Sequence, residues 1–162
     1  VATILTELFR HNLWANVRLL GVCANLTEEQ LDLSAPGTYG KVGDTLLHLV
    51  TAEQNYCMRF VAFDPATTLQ RGQPFPGVAA LREHVQRSGE TLIKVAEDDP
   101  SGQIMRGTWR GEPYAINAAV FLIQAINHAT EHRAHIVSIL TQNGVEVPSL
   151  DGWTYGEEMG LG

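Results

Sequence analysis

Histidine spacing is the feature of this chain that points to chemistry. In the stretch 121–139, Phe121, Ala125, His128, His132, His135 and Ile139 are separated by 4, 3, 4, 3 and 4 residues. That is the spacing of a packed helix seam, and three consecutive seam positions are imidazoles. A buried ring nitrogen without a partner costs roughly 1–3 kcal/mol, so a seam of this kind needs something to bind it. A metal ion meets the need. An i, i+4 step turns by about 40° and rises about 6 Å, and two such rings converge on one ion at roughly 2.0–2.1 Å. His128 and His132 form that HxxxH step. The zinc-peptidase pattern HExxH is not met, because Glu131 precedes the second histidine instead of following the first.

A third ligand has to come from another helix, and His48 is the preferred candidate. It interrupts the apolar run of DTLLHLV, where a charged imidazole is unwelcome. Taken alone, a hydrogen-bonded core histidine would explain it better; the paired histidines elsewhere shift the balance to ligation. His84, beside Arg82, Glu83 and Gln86, reads as solvated. His11, near Leu8 and Trp14, is placed to line the same cavity without ligating. Seven residues return His135 to the face of His128 but about 10 Å further along the axis. It is expected to support the ligands or carry a proton, with ligation beside His132 as the alternative. Glu131 would serve as a general base only if it faced the cavity. It is offset by about 100° from His132, which favours solvent. Arg133 is similarly offset and is expected to pair with an acidic side chain.

Helices must position these rings, and the apolar periodicity supplies four long ones. The first is expected from about Thr3, a plausible N-cap, to Ala24, with Leu5, Phe9, Leu13, Val17 and Leu20 on one face and Asn25 as the stop. A short turn at 26–31 and a loop at 32–41 follow. The second spans about Val42 to Phe63, capped by Gly43 or Asp44, and buries Leu46, Leu47, Val50, Cys57, Met58 and Val61. After a Pro- and Gly-rich loop at 64–77, the third covers about Val78 to Glu97, with Leu81, Val85, Leu92 and Val95 inside. The period breaks at 98–115, where Ile104–Trp109 and Glu112–Ile116 around Arg110-Gly111 suit a short hairpin or, given Pro113, an extended loop. The fourth runs from about Ile116 to Asn143, ahead of Gly144 at C′. Trp153 and Tyr155 are expected to anchor the Gly-rich tail. The fold class is therefore all-α, a single domain over 1–162 built as a four-helix bundle, with an irregular or hairpin insertion before the fourth helix.

Composition bounds the rest. A chain of 162 residues with 18% charged residues needs no disulfide to fold, and Cys23 and Cys57 fall in apolar helical patterns as reduced core thiols. The net charge of −7 and the lack of a Lys/Arg cluster disfavour nucleic acid as a partner. No apolar run approaches a membrane span, and Glu7, Arg10 and His11 interrupt any signal-peptide core, so the expected location is cytoplasmic.

Three segments together resemble the DinB/YfiT-like metalloenzymes, across nearly the whole chain. HNLWANVRLL (11–20) is similar to the first-helix pattern built around Trp14 and Asn16. GDTLLHLVTAEQNY (43–56) is similar to the segment that carries the first metal histidine, here His48. INHATEHRAHI (126–136) is similar to the last-helix signature, whose HxxxHR core is here His128, His132 and Arg133. The resemblance implies an up-down-down-up bundle, one divalent metal, commonly zinc or nickel, on three histidines, and frequent homodimers. Relatives with known activity are mainly transferases of low-molecular-weight thiols, including mycothiol and bacillithiol, and a maleylpyruvate isomerase. The departures are Ala134 and His135, where the family often has HRGQ, and Glu131, where some members add a histidine.

Three neutral imidazoles leave a bound ion its full charge and at least one open position. Such an ion lowers the pKa of a bound water toward about 7 and favours thiolate over thiol. The expected function is a metal-dependent transferase of a low-molecular-weight thiol acting on a small-molecule substrate. A hydrolase on the same site and a non-enzymatic metal-binding stress protein are the alternatives.

Overall fold

A computed structural model describes residues 2–64, 67–70 and 72–161. Its elements are α1 (Ile4–Cys23), α2 (Glu28–Leu31), α3 (Val42–Cys57), α4 (Val78–Asp98), a 3-10 turn (Pro100–Gly102), β1 (Ile104–Trp109), β2 (Glu112–Asn117), α5 (Ala118–Gln142) and α6 (Gly152–Met159). The chain is mostly helical, with the four long helices packed side by side: α1 and α3 each lie against both α4 and α5. Strands β1 and β2 form a two-stranded antiparallel sheet, so the insertion is a hairpin and the chain is not wholly helical. Its register pairs Ile104 with Asn117 and Trp109 with Glu112. Arg110 and Gly111 close it with φ of 53° and 87°. Both values are positive, as the tight two-residue turn demands.

Local chemistry sets the helix ends. The Thr3 hydroxyl accepts from the Thr6 amide and starts α1. The amide of Thr27 and the side chain of Gln30 complete a reciprocal capping box on α2. Helix α3 begins at Val42 with Lys41 in the cap position and no side-chain cap bond, so neither Gly43 nor Asp44 caps it. It stops at Cys57, six residues earlier than its apolar pattern suggests, because the amides of Arg59 and Phe60 bond back only three residues and the turn tightens. Met58 and Val61 are consequently exposed. Asn117, at the end of β2, accepts from the Ala119 amide and starts α5 two residues later than periodicity suggests. The C-terminal α6 was not expected. Asp151 caps it by accepting from the Thr154 amide, and Gly160 ends it with φ of 67°.

Two apolar clusters fill the interior. One gathers Leu19, Leu20, Leu46, Val50, Leu81, Val85, Ile136 and Leu140. The other gathers Phe9, Cys57, Leu92, Val95, Leu122 and Ala125. Between them, in chain position on all four long helices, lie Asn12, Asn16, Glu53, Ser88 and Arg133, all at most 5% exposed. The core is thus split by a polar layer to which every long helix contributes.

Candidate metal centre

The polar layer fixes its own protonation and orientation. Arginine has no acceptor, so the Arg133 guanidinium must donate, and its Nη1 lies 2.7 Å from both Asn12 Oδ1 and Asn16 Oδ1. Each asparagine is thereby turned to present its amide nitrogen to Glu53 Oε2, at 2.9 Å in both cases. Glu53 Oε1 accepts from the Ser88 hydroxyl. The carboxylate therefore accepts three hydrogen bonds and meets its counter-charge through two amides. Burial pushes the Glu53 carboxyl pKa up, while Ser88, Asn12, the Arg133 charge and Asn16 pull it down. Burial also lowers Arg133 to about 10, opposed by the Glu53 charge. This layer locks the rotation of α5 one residue from His132.

On the neighbouring face, α3 and α5 bring His48, His128 and His132 together. His128 Nε2 lies 3.0 Å from His48 Nε2 and 3.1 Å from His132 Nε2. One ligand atom from each of the three lies within 4.8 Å of the others. His132 is buried, and the other two are half-buried. Burial, then the adjoining imidazoles, hold His128 and His132 down to about 4, so both rings are neutral with lone pairs available at pH 7. A neutral imidazole has a single N–H, so three converging Nε2 atoms compete for protons; a cation satisfies all three at once. The donor set and its spacing therefore fit a divalent metal ion.

Tyr39 was missed by sequence reasoning, because it sits in a loop with no periodicity. Its ring stacks on His48 at 4.2 Å between centroids and meets His132 edge-on at 5.0 Å. Tyr56 meets His128 edge-on. Beside the histidines a cavity of about 590 Å³ opens between α3, α5 and the hairpin. His48 and His128 line one end; Arg59, Tyr114 and Phe121 meet at the other.

The remaining sequence candidates fall elsewhere. His11 and Trp14 do not line this cavity. With Tyr155 they form an aromatic cluster that docks α6, and His11 Nε2 contacts the Leu150 carbonyl at 2.9 Å. The cause is rotational: Asn12 and Asn16 take the inward face of α1 and leave residues 11 and 14 on its flank. Trp153, expected as an anchor, is 85% exposed, whereas Tyr155 is buried and donates to Glu7. Glu131 is exposed. His135 lies outside the three-histidine group, with its ring 5.6 Å from that of His132. His84 is half-buried between Gln54 and Arg87, not fully solvated. Glu53, Ser88 and Asn12 were likewise missed, since a polar residue on an amphipathic helix reads as solvent-facing until its partners on other helices are known. Cys23 and Cys57 are free and buried, and burial raises both thiol pKa values, Cys23 to about 12.

The sequence pattern of the DinB family matches residues 2–159. The chain belongs to the DinB family. Among solved structures it is similar to a DinB-like protein from Bacillus cereus, with a TM-score of 0.64 at 19% identity over 90% of this chain and 94% of that one. At that identity the likeness speaks for the fold alone. No curated protein matches the chain. Among the described residues, no helix is long and apolar enough to cross a membrane.

Proposed function

We propose that this DinB protein binds one divalent metal ion on His48, His128 and His132 and transfers a low-molecular-weight thiol to a small-molecule electrophile. The observation that carries the reading is the cavity of about 590 Å³ reaching two of the three histidines. A purely storage or structural site would be closed and saturated; an open approach is what a reacting molecule requires. A divalent ion held by His48, His128 and His132 would supply Lewis acidity, which would favour the thiolate form of a thiol at neutral pH.

The protein's own groups supply the rest. Tyr39 stacked on His48 and edge-on to His132 restricts those rings to one orientation. The polar layer behind His132 fixes α5 against α1 and α3. The cavity walls would hold the electrophile beside the histidines, where the thiol gives up its proton to solvent and its sulfur bonds to carbon as the carbon–leaving-group bond breaks. Zinc or nickel as the ion, a homodimer, a cytoplasmic location and an up-down-down-up order of the four long helices belong to the same reading and rest on the family resemblance.

The test is conjugation of a thiol to an electrophile such as 1-chloro-2,4-dinitrobenzene by the zinc- or nickel-loaded protein. Several thiols are run in parallel with a panel of esters and amides. Metal-dependent conjugation lost in His128→Ala supports the reading. Turnover of esters or amides alone would replace it with the hydrolase, and no turnover of either kind would overturn it.

A further inference from the structure

The chain carries 18 acidic residues against 11 lysines and arginines, yet among the described residues no Asp or Glu lines the cavity beside the histidines, and the one fixed charge in its wall is Arg59. Among the described residues Arg59 makes no salt bridge, and one of its donors binds the Tyr114 hydroxyl at 3.1 Å. Its guanidinium carbon lies 5.9 Å from the Tyr114 ring centre and 5.8 Å from that of Phe121. An arginine offers five donors in a planar fork suited to a carboxylate, and here aromatic rings orient that fork while leaving it without an acid.

Positions 48, 51, 52, 55 and 56 repeat at helical spacing along one face of α3, and Arg59 follows in the turn after its end. From residue 48 to residue 56 the rise along α3 is about 12 Å.

We infer that the cavity takes a carboxylate-bearing small molecule with an aromatic or apolar body, its carboxylate on Arg59 and its opposite end at the three histidines. Tyr114 and Phe121 flank its body. The inference rests on the proposed metal reading only for what happens at the histidine end; the anion subsite stands on Arg59 and its aromatic frame alone.

The test uses the full chain and an isosteric probe pair, 4-phenylbutyrate and 4-phenylbutanamide, by isothermal titration calorimetry. Chelator-stripped protein is used, so that the carboxylate cannot gain by binding a metal. Zinc stoichiometry is measured separately on the same preparation. The carboxylate is expected to bind about tenfold or more tighter than the amide, the scale of a charge-assisted hydrogen bond. Arg59→Gln should reduce the ratio to within about twofold at unchanged zinc stoichiometry, which also certifies its fold. Equal binding of the two probes to the unmodified protein overturns the subsite, as does a ratio that survives Arg59→Gln; neither depends on the zinc result. Absence of zinc binding with the ratio intact would instead remove the metal reading and keep the subsite.

Discussion

Replacing Glu53 by Gln tests the polar layer without disturbing its shape. Glutamine keeps an oxygen for the two asparagine amides and turns its NH₂ toward Ser88, whose hydroxyl can accept. The hydrogen bonds therefore survive and only the charge is lost. Arg133, 5% exposed, is then a buried guanidinium with no counter-charge. Two hydrogen bonds across an amide put the charge centres roughly 6 Å apart, which at an effective dielectric of about 20 gives about 3 kcal/mol. That agrees with the roughly 3–5 kcal/mol typical of removing one partner of a buried pair. Urea denaturation followed by far-UV circular dichroism should show a midpoint about 1–2 M lower at unchanged slope. The double variant Glu53→Gln, Arg133→Met should be less destabilised than the sum of its singles by about 2–3 kcal/mol. A loss below about 0.5 kcal/mol in Glu53→Gln, or additive singles, would refute the idea that the two charges sustain one another through Asn12 and Asn16.

Further outcomes follow from the same structure. A Cβ on Gly89 would lie 2.6 Å from Leu13 Cδ1 and 3.0 Å from Leu13 Cβ, so Gly89→Ala should force α1 and α4 apart and lower stability by about 1–3 kcal/mol in the same urea assay. A Cβ on Gly107 would meet the Tyr114 ring at 2.6–2.9 Å, so Gly107→Val should displace Tyr114 from Arg59, read as a changed Tyr114 ring environment by NMR. In metal-free protein, His128 and His132 stay neutral down to about 4 while the unfolded chain takes up protons below 6.5. Stability should accordingly fall as pH drops from about 6.5 to about 4 and then level off for these groups, and the fall should shrink in His128→Asn, His132→Asn measured by thermal melting.

Some of this was legible in the residues alone. The three histidines stood out because imidazoles replaced apolar residues at seam positions, a local signal that needs no tertiary knowledge. The hairpin was one of two readings of Arg110-Gly111 between two β-prone runs, Pro113 having suited an extended loop nearly as well; the pairing of β1 with β2 decides it. The seam itself was shifted: Leu122, Ala125, Ala129, His132, Arg133 and Ile136 are the inward residues, and His128 and His135 border them. Arg133, offset from His132 by one residue, thus points into the core, where its partners are on α1 and, through them, on α3. No single-helix pattern reveals that pairing, because each member alone looks like an ordinary surface polar residue. Helix α3 was read too long because its apolar residues continue past Cys57; Phe60 and Phe63 pack from a turn onto the second apolar cluster. Helix α6 was overlooked because its glycines masked the Asp151 and Thr154 cap.

The central claim is tested most directly by metal content. Protein purified without a metal-affinity tag, equilibrated with zinc and dialysed, should carry one ion per chain by elemental analysis. His48→Ala, His128→Ala and His132→Ala should each abolish it, while His11→Ala and His135→Ala should leave it intact. Full stoichiometry in any of the first three, or loss in either of the last two, would contradict the assignment.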